Sequence, residues 1–327
     1  MRYFARKIGF YLLAAWAAIT IDFFLPRLIP GNPVEILMSR MAQSGSPPPG
    51  EAKTLALLLG LSHGNLITQY WDYLVQLSHL NFGISITDFP TPVSQIIVST
   101  LPWTIVLVGT CTVISFIVGI VLGTIAGFKG GKWAEALIPS TTFLTSLPYF
   151  FMALLLLYFL SYEFHLFPLN GGYSDSLTIG FTGSFILSAV YHSILPALTI
   201  ILASLGGWLL GMRNMVLTTL SEDYVVAAEA RGLSRRKIMI GYAARNAVIP
   251  SITGFAISLG FVVSGSIAME YVFSYPGIGY ELLQAISNDD YALTQAIFLI
   301  ITLSVLGANL IVDLLYGFID PRTRQSR

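Results

Sequence analysis

Four ionisable side chains fall within or at the edge of long apolar runs: Asp22, His192, Glu270 and Asp313. A charge at the middle of a membrane helix costs roughly 2.5–3.5 kcal/mol on insertion scales, so each is a candidate for handling an ion, a proton or a substrate. Glu270 and Asp313 lie near run ends, where they reach water, and the four do not make the transbilayer chain of carboxylates that a proton- or sodium-coupled carrier uses. Other chemistry is sparse. His63 and His79 are far in sequence from His165 and His192, and neither a His-Glu-x-x-His pattern nor a cysteine pair occurs, so no metal site is expected. In "GFKGGKW", Ala126 stands where the first glycine of a phosphate loop belongs and Trp133 replaces its Ser or Thr, so ATP is not expected there. The single Cys111 reads as a buried thiol in an apolar run. The expectation is a chain with no catalytic residue and no cofactor of its own.

The elements that hold these residues are set by composition. Of 327 residues, 55% are hydrophobic and only 10% charged, with a mean hydropathy of +0.74, against roughly 25% charged in soluble domains. A bilayer core needs about 20 apolar residues of helix. Trp103–Phe128, Ala136–Tyr162, Ser176–Met212, Asn246–Met269 and Tyr291–Val312 meet that length without a charge, and Ile8–Leu25 is broken only by Asp22. The fold class expected is an all-α membrane protein with six transmembrane helices, the start of the third uncharged run after Tyr162 being trimmed where "SLTIGFTGS" is turn-like. The first run has a second reading as a cleaved signal peptide, with "MRYFARK" as its basic start and "AAWAA" as the cut; the continuation of apolar residues to Leu25 suits an anchor better.

Lys and Arg mark the cytoplasmic side of membrane helices. With the amino terminus inside, Arg2, Arg6, Lys7, Lys129, Lys132, Arg213, Arg231, Arg235, Arg236, Lys237, Arg245, Arg322, Arg324 and Arg327 are cytoplasmic, 14 of the 17 basic residues, leaving Arg27, Arg40 and Lys53 outside. Both termini are thereby expected in the cytoplasm. Residues 1–29 form the first helix, 30–99 a large external segment, 100–320 a five-helix core and 321–327 a tail. In the external segment apolar residues recur at helical spacing over Leu55, Leu58, Leu59, Ile67, Tyr70, Leu74 and Leu77, which fits short amphipathic helices lying on the membrane or on the protein. Gly119, Gly123 and Gly127, and again Gly207 and Gly211, carry a four-residue spacing of small residues that favours close helix packing. Pro139, Pro148, Pro196 and Pro250 invite kinks.

One charged stretch interrupts the apolar core, "EDYVVAAEARGLSRRK" from Glu222 to Lys237, inside a cytoplasmic loop of about 213–246. Ser221 is expected to cap a short helix, Glu222 and Asp223 to favour its amino-terminal dipole, and Gly232 to end it in a left-handed corner. Ser234 is then expected to cap a second helix running into the fifth span. Two readings are open: a solvated basic loop, or a docking knob in which Ala227, Ala228 and Ala230 pack into a groove on a partner while Glu229 and Arg231 fix register.

"DYVVAAEARGLSRRKIMIGYAARNAVIPSIT" resembles the coupling-loop signature of the membrane subunits of binding-protein-dependent ABC importers, in the longer-spaced form of the dipeptide, oligopeptide and nickel branch. "LIPGNPVE", "LNFGIS", "LPWTIVLV", "SLPYFF", "HSILPALTI", "MRNMVL", "EYVFSYPGIG" and "NLIVDLLYGFIDPR" resemble the same branch along nearly the whole chain, in its B-type permease with a large external segment. Val226 stands where the general motif has its first alanine, and Asn81 where an aspartate is common. The resemblance implies the type I permease fold in a bacterial or archaeal cytoplasmic membrane. It implies a second, homologous permease, two ATP-binding subunits that hold ATP and Mg, and an extracytoplasmic substrate-binding protein, with lipid around the chain and no nucleic acid.

It further implies coupling to the ATPases through Asp223, Tyr224, Ala227, Ala228, Glu229, Arg231, Gly232 and Leu233. Glu270, Phe273, Pro276, Gly277 and Gly279 would form an external gate or binding-protein contact, with a structural turn as the alternative. Peptide is the substrate class implied first, with oligosaccharides and nickel chelates open beside it. A stand-alone channel or secondary carrier, working without ATPases, is the reading from a different class.

Overall fold

The computed structural model describes residues 2–28, 38–39, 65–264 and 267–319. The expected helical spacing at Leu55, Leu58 and Leu59 and the tail from 321 lie outside these residues. Twelve helices carry the described chain: α1 (Arg2–Leu28), α2 (Leu66–Ser78), α3 (Val93–Lys129), α4 (Lys132–Ser146), α5 (Tyr149–Leu156), α6 (Gly183–Leu220), α7 (Asp223–Ala230), α8 (Arg235–Ile238), α9 (Arg245–Gly260), α10 (Ile267–Val272), α11 (Ile278–Ser287) and α12 (Tyr291–Ile319). Among them, α1, α3, α6, α12 and the continuous path Arg235–Ser264 are each long and apolar enough to cross a membrane. The remaining expected span is a broken one: α4 and the path Tyr149–Glu163 meet at an angle of 101°. The break falls at Leu147 and Pro148, where the extended backbone that proline imposes on its predecessor ends α4.

α3 and α6 run for 37 and 38 residues, each beyond the apolar run that announced it at one end: α3 reaches back through Pro102 to Val93, and α6 continues over Arg213–Leu220, which contains no helix breaker. Two stretches are π-helical, Leu157–Glu163 after α5 and Met239–Ala244 between α8 and α9. Such segments widen the backbone ladder by one residue and occur frequently at functional places.

The chain folds as two compact units, and it passes between them within α3, after Thr104, on either side of the stretch Val263–Ile267, which belongs to the first unit, and again between Tyr275 and Pro276. In the first unit α1 and α12 lie antiparallel. Lys7 pairs with Asp313 at one end, and at the other Gln295 Nε2 donates to the Asp22 carbonyl at 3.0 Å. The start of α1 and the far part of α12 therefore share one end of the pair. Val93, Ile96 and Ile97 at the start of α3 bury themselves against Ile278, Leu282 and Ala285 of α11 and Leu293, Ala296 and Ile297 of α12. Fully buried Asp290 knots this unit. Its carboxylate accepts from Ser85 Oγ, from the Ile86 and Thr87 amides at 2.8 and 2.9 Å, and from the Leu293 amide at 3.1 Å, which caps α12.

Glu281 is the counter-example in the same unit. Burial first, then the carboxylates of Asp88 and Asp290, push its acid above the ordinary 4.5. Folding thus favours its protonated form, so its unfavourable effect is absent below that value and grows as pH rises toward the raised one. Asp290→Asn is expected to destabilise the protein by about 1.5–3 kcal/mol through its lost charged hydrogen bonds. Glu281→Gln is expected to do the opposite, raising the melting temperature at neutral pH and removing the decline that begins above pH 4.5. Thermal unfolding of both variants across pH checks the pair of signs.

In the second unit α6 is the central helix, with α3, α4, α5 and α9 on its sides. Gly119, Gly123 and Gly127 let α3 lie on α6 at backbone distance: a methyl group at Gly123 would come 2.5 Å from the Leu209 carbonyl oxygen, and one at Gly127 2.9 Å from Val216 Cβ. The spacing in α6 itself behaves otherwise. Gly207 and Gly211 have open space where a side chain would go, and it is Gly206 that admits α4, with the Thr141 carbonyl oxygen 2.7 Å from where a methyl would stand.

Candidate functional site

The charged stretch folds as two helices around one corner. Ser221 closes α6, its hydroxyl donating back to the Thr218 carbonyl at 2.8 Å, so the cap expected of it passes to Glu222, whose extended backbone starts α7 without a side-chain bond. Asp223 follows in the first turn, where the helix dipole favours an acid. At the other end Arg231 is the last near-helical residue and Gly232 turns left-handed at φ +71°. The Gly232 amide donates to the Glu229 carbonyl at 2.9 Å and the Leu233 amide to the Ala228 carbonyl at 3.3 Å. That double closure is the Schellman arrangement, and Leu233 adds the apolar contact that accompanies it. Ser234 then starts α8, again without a side-chain bond.

What fixes the corner is a small core. Val225, Ala228 and Ile238 are each at most 3% exposed, and Phe128 at the end of α3, Leu220, Leu233 and Tyr242 pack around them. Ala228 therefore packs within the chain and not on an outer surface, because at about 100° per residue it shares a helix edge with Val225. The opposite edge is Asp223, Val226, Ala227 and Ala230, all exposed, with exposed Tyr224 and Glu229 on the flanks and Arg231 and Gly232 exposed at the corner. Arg235, Arg236 and Lys237 are exposed beside them. Val226, noticed in the sequence only as a departure, is the large apolar group of this outer edge, 54% exposed. A valine flanked by Val225 and Ala227 gives no sign in the sequence of which side it faces. The result is a short knob, apolar and small at its crown and charged at its rim, held rigidly from beneath.

The second predicted set is placed differently. Glu270 and Phe273 are buried at 0% and 2% in the second unit, where the Tyr275 amide donates to the Glu270 carbonyl at 2.8 Å and the Gly171 amide to the Phe273 carbonyl at 2.9 Å. Burial pushes the Tyr275 hydroxyl up to about 12. Pro276, Gly277 and Gly279 belong to the first unit. Gly277 starts α11, and the Ile278 amide donates to Thr104 Oγ1 at 2.9 Å. Both glycines are buried and Pro276 half-buried, which fits the structural-turn alternative.

Of the intramembrane candidates, Asp22 and Asp313 lie in the first unit, towards opposite ends of the α1–α12 pair, and His192 lies in the second. Asp22, 6% exposed, accepts from Tyr73 Oη at 2.9 Å. Asp313 accepts from Lys7 and from Tyr11 Oη, and His192 Nδ1 lies 2.8 Å from the Ser188 carbonyl of its own helix.

Comparison with known proteins gives these features a context. Residues 119–325, which include the knob and α12, match the family of binding-protein-dependent transport system inner membrane components. Over 342 residues, and the full length of both chains, the sequence is 32% identical to the Pseudomonas aeruginosa di/tripeptide transport system permease protein DppB. It is 30% identical, again over both full lengths, to the Escherichia coli dipeptide transport system permease protein DppB. It is also 32% identical to the Staphylococcus aureus nickel import system permease protein NikB, over 93% of this chain and 86% of the relative. With the match spanning most of an all-helical, multi-pass chain, this protein belongs to the binding-protein-dependent transport system inner membrane components, the permease subunits of ABC importers.

Proposed function

We propose that the chain forms half of a translocation pathway for peptides, beside a homologous permease, powered by two ATPase subunits that bind ATP and Mg and fed by an extracytoplasmic binding protein. The observation that carries the coupling role is the knob: a short helix with Val226, Ala227 and Ala230 outward, locked from within by Val225, Ala228 and the Gly232 corner. Such a surface suits insertion into an apolar cleft, with Asp223, Tyr224, Glu229 and Arg231 available to set its register. Leu233 serves from inside, holding the corner closed. Its packing on Phe128, next to Lys129, puts the knob at a basic end of the helices, which supports a cytoplasmic location for both. The antiparallel α1 and α12 support two cytoplasmic termini. Glu270, Phe273, Pro276, Gly277 and Gly279 act in this reading by shaping the external turn.

Peptide is favoured over nickel chelate because relatives named for peptide transport match both full lengths. Coexpression with the two ATPases, the second permease and the binding protein, followed by reconstitution in liposomes, tests both parts. ATP-dependent uptake of a labelled dipeptide, at least tenfold above that without ATP, is the expected result. Uptake by this chain alone would overturn the coupling reading, and uptake of a nickel chelate without dipeptide would overturn the substrate.

A further inference from the structure

We infer that α2 is an interfacial helix whose exposed ridge, Ile67, Trp71 and Val75, lies in the lipid of the leaflet at the carboxy-terminal end of α1. The inference is independent of substrate and ATPases. Tyr70 Oη hydrogen-bonds Thr20 Oγ1 at 2.8 Å, Tyr73 Oη donates to Asp22 at 2.9 Å, and both rings pack on buried Phe23 with centroids 5.1 and 5.6 Å away. The apolar window of α1 runs from Arg6 to Phe24. At 1.5 Å per residue, the contacts of α2 therefore fall within about 6 Å of the window's end, inside the apolar stretch and not above it.

The side chains of α2 divide into three arcs at about 100° per residue. Tyr70, Tyr73 and Leu77 face α1; Thr68, Asp72 and Gln76 make a polar arc; Ile67, Trp71 and Val75 fill the arc between, exposed at 79%, 67% and 44%. A helix lying in water against a protein needs two arcs, one covered and one polar. A third arc, apolar and bare, is what a helix in the plane of a membrane presents downward, and tryptophan is enriched at that level. On the same part of the α1 sequence, Ile21 and Phe24 are likewise apolar and exposed, at 68% and 41%. α2 has no Lys or Arg, so its attraction to the membrane rests on apolar burial and not on anionic headgroups. In the proposed orientation this is the outer leaflet.

Nitroxide labels at Ile67→Cys, Trp71→Cys and Val75→Cys, in full-length protein in phospholipid nanodiscs, test this. The buried Cys111 stays in place, and the parent protein serves as the labelling blank. Each ridge label is expected to show a ratio of oxygen to water-soluble nickel-chelate accessibility within about twofold of a reference at Ile21→Cys, exposed on α1 at the level of the α2 contacts. Thr68→Cys is expected to show the reverse preference. Ridge labels that behave like Thr68→Cys place the helix in water and overturn the inference. Labels reached by neither reagent show a protein cover, from this chain or a partner, and overturn it equally. Quenching by brominated acyl chains gives a second measurement: the wild type is expected to lose more tryptophan fluorescence than Trp71→Phe, and equal quenching counts against lipid contact.

Discussion

Gly232→Val is expected to cut transport and binding-protein-stimulated ATP hydrolysis about tenfold in the reconstituted complex, while the chain still inserts and assembles. Nothing lies within 4 Å of a methyl group placed at Gly232, so no clash is involved. The effect is conformational. At φ +71° a β-branched residue meets its own backbone, a strain of about 1–2 kcal/mol, and a shift of that size changes a two-state population about 5–30-fold. Relief comes from leaving the corner, which breaks the bonds from Gly232 to Glu229 and from Leu233 to Ala228 and frees the outer edge of α7 from the core beneath it. Asparagine tolerates the left-handed region, so Gly232→Asn is expected to keep activity within about twofold of the parent. Stimulated hydrolysis unchanged in Gly232→Val would remove the corner from the coupling mechanism.

Gly123→Val is expected to have the larger effect on stability. The added β-carbon would stand 2.5 Å from the Leu209 carbonyl oxygen and 2.9 Å from Met212 Cβ, and the first of these is backbone, which cannot rotate away. Either α3 and α6 separate or the pair does not form. Overpacking of this kind costs about 1–3 kcal/mol, with loss of folded yield at the upper end. Gly211→Ala, four residues along from the unoccupied Gly207, is expected to leave the melting temperature unchanged or slightly higher, alanine being the better helix former. A fluorescence melting curve in detergent on both variants decides; equal melting temperatures would mean that the close approach of α3 to α6 carries no stability.

The two glycine series show what sequence can and cannot convey. Gly119, Gly123, Gly127, Gly207 and Gly211 have the same spacing, yet only the first three meet a helix, because spacing describes one surface and says nothing of what faces it. Gly206, outside the pattern, makes the other close contact, against Thr141 and Thr145. The Gly232 corner was legible because its cause is local: a helix-forming run, a glycine and a serine start are adjacent in the chain. The inward turn of Ala228 and the outward turn of Val226 were not, since they depend on Phe128, far away in sequence, and on Tyr242 from beyond the corner. The third span was legible as length and composition, and Pro148 marked its break, but a proline sets only the local backbone and not the 101° between the halves. Asp22 was legible as an anomaly. Its partner Tyr73 comes from a helix whose amphipathic pattern was visible but whose resting place was not.

The antiparallel α1 and α12 are tied at two points, by Lys7 to Asp313 and by Gln295 to the Asp22 carbonyl. The ties stand 15 residues apart along α1, from 7 to 22, and 18 along α12, from 295 to 313. One tie would act as a pivot and leave the helices free to swing like scissors. Two ties at opposite ends remove that hinge and also forbid sliding, since a slip of one turn would break both together. The pair is thus held in register at both ends, and α1 and α12 are expected to move together as one element.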